Sequence, residues 1–248
     1  MILRRLAEAI VNQNWFTVIV EIAIVVVGIL LGLQANEWSQ QRQDRRDEIV
    51  YLERIAADLG DSRADTEDLI EFQSRHATHG ALVLDTLRSC SLDAADRDTF
   101  ASGIYLLAKN ATAPFLRASL QELQSSGRLT IISNTALRQR LVGLMLWHDD
   151  NAFFMSDIQL RISPHINYID SVAPTVVDRP IGGASNVSWE MLDADLEQLC
   201  TDRRFYKAVA ASLNYTWDAT SALQRWTREL SEVREAVEAE LLTLRGAR

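Results

Sequence analysis

Glu21 is the residue whose setting most suggests chemistry. It is the one charged side chain between residues 16 and 35, a run otherwise built mainly from Ile, Val, Leu, Gly and Ala. A carboxylate at the centre of a bilayer costs about 2.5–3.5 kcal/mol on insertion scales, and less towards the interface. Such an acid is held protonated and hydrogen-bonded against another helix, reaches the headgroups, or lies on a proton or ion path. Its neighbours favour packing. Val25, Gly28, Gly32 and Ala35 follow at +4, +7, +11 and +14, so on a helix all five positions fall within about 40° of one line. Gly28 and Gly32 form a GxxxG pair, which lets two backbones approach closely. This face is expected to pack against a copy of itself or a partner helix, and the ion path is the lesser reading.

Other candidates are weaker. His76 and His79, with Asp68 and Glu71 nearby, sketch a metal site, but an i,i+3 histidine pair without a third ligand at fixed spacing is read as a solvated helix face. His148-Asp149-Asp150 is read in the same way. No nucleophile elbow and no phosphate-cradling glycine loop occur. No catalytic, cofactor-binding or metal-ligating residue is therefore assigned, no cofactor is expected, and the protein is not expected to be an enzyme. Cys90 and Cys200 either form one disulfide or stay as two buried thiols. Trp217 and Trp226 are expected in the core.

The averages describe an ordinary globular chain: 248 residues, 48% hydrophobic, 24% charged, net charge −9. They exclude a disordered chain, a collagen-like repeat and a small disulfide scaffold. The acidic balance argues against nucleic acid as a partner, because no positive field offsets phosphate repulsion. All of the −9 falls within residues 36–248, which carry 23 basic and 32 acidic groups.

Those averages conceal an apolar segment. Residues 16–35 span roughly 30 Å as a helix, the thickness of a bilayer core. Trp15 and Trp38 flank it, where aromatic anchors sit at membrane–water interfaces. A signal peptide would carry a shorter apolar region and a small-residue cleavage site. The expected organisation is a tail over 1–15, a transmembrane anchor over 16–38 and a soluble domain over 39–248. A short basic tail, with Arg4 and Arg5, suits an inner-membrane signal anchor that places the soluble domain in the periplasm.

The soluble part reads as long helices. Ile49, Leu52, Ile55 or Ala56, Leu59, Leu69 and Phe72 recur at three- and four-residue steps, so the membrane helix is expected to run on to about residue 88. Further helices are expected from a cap at Ser91 or Asp93 through Ala108, over about 115–126 with Gly127 as its stop, from Ser133 or Asn134 to a stop or a kink at Pro164, over about 188–199 and over about 202–245. Residues 171–187, with two prolines and a glycine pair, are expected to form a loop. The fold class is all-α: an N-terminal transmembrane helix running into a long helix of an antiparallel bundle.

Two stretches carry a resemblance. One is Glu21-Ile-Ala-Ile-Val-Val-Val-Gly28-Ile-Leu-Leu-Gly32-Leu-Gln-Ala-Asn-Glu-Trp38, followed by Tyr51-Leu-Glu-Arg-Ile-Ala-Ala-Asp-Leu59. The other is Leu120-Gln-Glu-Leu-Gln-Ser-Ser-Gly-Arg-Leu-Thr-Ile-Ile-Ser-Asn134 with Leu137-Arg-Gln-Arg-Leu141. Together they resemble a family of uncharacterised bacterial single-pass membrane proteins. The chain departs from it in having Val20 where a glycine often precedes the acid. The resemblance implies no activity, but it makes Glu21 and the Ser125-Ser126-Gly127 corner recurrent features. The expected role is a self-associating or accessory component of a membrane complex, with the bilayer and a second copy or another membrane protein as partners. The alternatives are a ligand-sensing helical domain and an ion- or proton-pathway subunit using Glu21.

Overall fold

The computed structural model describes residues 15–107, 115, 117–176 and 187–246, and side chains from residue 19 on. Six α-helices and three 3-10 turns occupy most of these, and no strand occurs among the described residues beyond one isolated bridge, Thr175 to Leu192. The fold is all-α. The chain divides into two compact units, Met1–Val50 and Tyr51–Arg248.

Helix α1 runs from Trp15 to Ser89. Its part within the first unit holds the apolar run, broken by Glu21, and then a polar stretch from Asn36, and every side chain described there from Ile19 to Asp44 is exposed.

The second unit is built on α1 from Tyr51 on, α4 (Thr135–Val172) and α6 (Arg203–Gly246). A buried seam on α1 runs Leu52, Ile55, Leu59, Ser62, Thr66, Gln73, His76, Gly80, Val83 and Leu87, with Leu84 and Thr86 buried beside it. With the half-buried Leu69, these steps alternate three and four without a slip. That 3.5-residue repeat is the seam of a left-handed supercoil. The buried seam of α6 runs Phe205, Val209, Ser212, Thr216, Ala219, Leu223, Trp226, Leu230 and Val233, then stretches to Val237, Leu241 and Leu244.

Contacts between the helices set their directions. Arg245 bonds Glu53, the Arg234 guanidinium lies over Gly60 and Leu213 over Gly80, so α6 runs antiparallel to α1. On its other side, Asn134 bonds Glu240, Arg140 bonds Glu232 and Trp147 stacks on Trp226, so α6 is also antiparallel to α4.

Shorter helices close the two ends. At one end α2 (Arg97–Leu107) and α5 (Leu196–Thr201) join a core of Val83, Leu87, Phe100, Ile104, Ile169, Leu199, Phe205 and Leu213. There α2 packs backbone to backbone on α1: a Cβ on Gly103 would lie 2.7 Å from the His79 carbonyl oxygen and 2.6 Å from Val83. At the other end α3 (Ala118–Ser125) buries Leu120 and Leu123. Gly127 follows it at φ +69°, the left-handed stop that only glycine takes without strain. Asn134 caps α4 by accepting from the Leu137 N–H at 3.1 Å.

Two local expectations are corrected. α3 starts at Ala118 rather than 115. The expected 188–199 helix is a 3-10 turn at Trp189–Met191 and then α5. Asp195 begins α5 by capping the Glu197 N–H. Of the two outcomes expected at Pro164, the stop does not occur: Pro164 lies inside α4, which continues to Val172 because Ile162 and Ile169 are both buried on the same face. Of the expected loop at 171–187, residues 177–186 lie outside the described residues.

Candidate functional site

The apolar span carries the first candidate face. Glu21, Val25, Gly28, Gly32 and Ala35 all lie on α1 and all are exposed. A Cβ on Gly28 or Gly32 would meet nothing within 4 Å, so the small-residue track is open. The segment passes the length and hydropathy test for a membrane-crossing helix, and none of its most apolar window is buried inside the chain. Trp38 is exposed with the Arg42 guanidinium 3.6 Å over its ring, pairing an aromatic with a cation at the end of the span. Trp15 opens α1, and its side chain lies outside the described residues.

The second candidate is a polar layer inside the bundle. His76 is corrected from a solvated position to the interior: it is 1% exposed, its ring lies 3.9 Å from that of Phe72, and neither ring nitrogen has a partner among the described residues. Burial, reinforced by the nearby His79 and Arg75 charges, pushes its pKa down to about 4. His79 is half-buried, and its pKa is lowered by the same burial and by Arg75. Asp68 and Glu71 are exposed, and among the described residues the sketched metal cluster is not assembled. Gln73 Oε1 and Ser212 Oγ are also buried without a partner. The hydroxyls of Thr66 and Thr216 are satisfied within their own helices by the carbonyls of Ser62 and Ser212.

Hydropathy alone does not mark these polar positions as core, because the apolar stripe on α1 breaks after Leu59. Continuing the three-four spacing through the gap reaches Ser62, Thr66, Gln73 and His76 directly.

The third candidate is a cleft of about 410 Å³ between α4 and α6. Trp147 and Trp226 stack along it with centroids 5.1 Å apart and planes 11° from parallel. Phe115 stands edge-on to Trp226 at 5.1 Å. Trp226 is 3% exposed and its indole N–H has no acceptor among the described residues. His148 lines the cleft, while its neighbour Asp149 bonds Arg117 at 2.7 Å, which holds the Asp149 carboxyl below its usual range. Trp226 is thus interior, as its position on the α6 seam requires, but Trp217 is corrected to the surface at 48% exposure. One helical step off the seam at Thr216 is enough to turn it outward.

Cys90 and Cys200 are joined as a disulfide, with Cα atoms 5.6 Å apart, tying the end of α1 to α5. Cys90 ends α1 at φ +47°, where its N–H bonds the Thr86 carbonyl at 2.8 Å.

No curated protein and no solved structure matches this chain. Residues 21–146, half of its length, match a family of unknown function (DUF6090), and the chain belongs to that family.

Proposed function

We propose that this is a single-pass protein of a bacterial inner membrane, anchored by residues 16–38, with its helical bundle in the periplasm. It acts without catalysing a reaction, as a self-associating or accessory component of a membrane complex. The observation that carries this reading is the exposure of the span. Ile22, Ile24, Val27, Leu30 and Leu31 are each about half or more exposed with no tertiary partner. Continuous apolar surface of that kind needs a bilayer or another protein to cover it. The Cys90–Cys200 disulfide supports an oxidising compartment for the bundle.

Association through the Glu21 face follows from the same helix. A carboxyl in hydrocarbon is stabilised by a hydrogen-bonding partner, and the open track at Gly28 and Gly32 admits one at close range. Native mass spectrometry in gentle detergent tests this. The wild-type chain is expected as a homo-oligomer or with a stoichiometric membrane partner, and Gly28→Leu with Gly32→Leu as a monomer. A wild-type monomer under the same conditions overturns the association.

A further inference from the structure

We propose that α1, where it leaves the bilayer, binds an anionic phospholipid, holding the phosphodiester of a headgroup without an ammonium group between Arg42 and Arg46. The proposal rests on residues 16–38 being a membrane anchor, and it names the lipid that stands beside the anchor's C-terminal end.

The charges of this exit segment are sorted by face. α1 is one continuous helix through it. At about 100° per residue, Trp38, Arg42, Arg45 and Arg46 fall within one sector of about 100°. Glu37, Asp44, Asp47 and Glu48 fall within a second sector of about 100° on the opposite side. Burial sorts them further. Glu48 is 3% exposed and Asp47 is half-buried, while Arg42 and Arg46 are both exposed. Arg45 is half-buried and already has a partner in the chain, so it is left out of the site.

Arg42 and Arg46 differ from the other helical arginines in having no acid within helical reach. Three and four positions from Arg42 stand Trp38, Ser39, Arg45 and Arg46; from Arg46 they are Arg42, Gln43, Ile49 and Val50. Elsewhere on the long helices Arg63 pairs with Glu67, Arg161 with Asp157 and Arg234 with Glu238 at that spacing. Arg42 and Arg46 instead make a like-charge i,i+4 pair, about 5–6 Å apart at Cβ, whose repulsion an anion between them relieves. A phosphodiester suits them, because a guanidinium donates to two of its oxygens at once.

Depth agrees with charge. With Trp38 at the interface, the Arg42 guanidinium is fixed beside it, 3.6 Å over the indole ring. The Arg46 Cα lies about 6 Å further along the axis, and its side chain leans back towards the helix N-terminus and the bilayer. Both therefore reach the headgroup layer, which extends about 5–7 Å beyond the hydrocarbon. Phosphatidylethanolamine sets its own ammonium against its phosphate, so it gains less from two cations than phosphatidylglycerol does.

The test is native mass spectrometry of the full chain released from nanodiscs of equal parts phosphatidylglycerol and phosphatidylethanolamine. Flotation after reconstitution into phosphatidylcholine vesicles is run alongside. The wild type is expected to float, and to retain phosphatidylglycerol several-fold over phosphatidylethanolamine even in excess inorganic phosphate. Arg42→Gln with Arg46→Gln is expected to float equally and to lose the preference. Arg63→Gln, which removes an exposed arginine from the bundle, is expected to keep it. Equal retention of the two lipids by a wild-type chain that floats overturns the proposal alone. Displacement by inorganic phosphate, which assigns the site to a free anion, or a preference unchanged in the double variant does the same. A chain that does not float overturns the anchor and the proposal with it.

Discussion

Asp58, in the middle of α1, caps α3 from outside: its Oδ2 accepts the backbone N–H of Ser119 at 3.0 Å. The residue in the cap position itself, Arg117, supplies no side-chain acceptor. One turn away, Glu122 accepts from both Tyr51 and Arg54, at 2.8 and 2.7 Å, and this pairing holds its carboxyl below the usual range. The short helix α3 is therefore located by three side chains of α1.

Removing that cap lowers stability. Asp58→Ala is expected to cost about 1 kcal/mol, the usual value of a lost N-cap acceptor. The measurements are the denaturation midpoint and faster hydrogen exchange at the first amides of α3. Unchanged exchange at Ser119 would show that the cap contributes nothing.

Acid lability should carry a histidine component. The His76 pKa is about 4 when folded against 6.5 in a free chain, so the unfolded state takes up the proton first as pH falls. Stability is complete above about pH 6.5 and is lost progressively as pH falls towards 4. By pH 5 the loss comes to about 2 kcal/mol. Thermal melts of His76→Leu should decline less between pH 7 and 5 than those of the wild type, the remaining decline coming from His79, whose pKa burial also lowers. The carboxyls of Glu122, Asp149 and Asp202, all held low, titrate outside this window, at or below their usual values of about 4.

Gly103→Ala is expected to destabilise by about 1–3 kcal/mol, because the added methyl meets the His79 carbonyl and Val83 with no free space. Gly143→Ala, where a Cβ meets nothing within 4 Å, is the matched control and should be neutral or slightly stabilising. Denaturant midpoints of the two variants decide it.

Reduction of Cys90–Cys200 opens a loop of 110 residues, worth about 4–5 kcal/mol in the chain-entropy treatment. The melting temperature should fall sharply in reductant, and Cys90→Ala with Cys200→Ala should melt low with or without it. Equal melting of oxidised and reduced protein would contradict this.

The long helices were legible because Leu52, Ile55 and Leu59 on α1, and Leu223, Leu230 and Val233 on α6, repeat at helical spacing and are buried where that spacing puts them. Gly127 and Asn134 announced their turn and cap by residue type. The candidate site was less legible for a physical reason. Ser62, Thr66, Gln73 and His76 occupy core positions with polar side chains, so hydropathy describes them as surface. Whether Trp217 or Trp226 faces inward depends on phase along a 44-residue helix, which a short window does not fix. The cleft joins residues some 70 positions apart, and no local pattern announces that.

The account rests on residues 16–38 remaining in the protein as a membrane anchor, and one measurement bears on it directly. Membranes are washed with alkaline carbonate and floated on a density gradient, and the intact mass of the chain is determined. The account predicts that the chain floats with lipid and that its mass includes the whole apolar segment through Trp38. A chain left in the wash, with a mass showing that the segment has been removed, would contradict it.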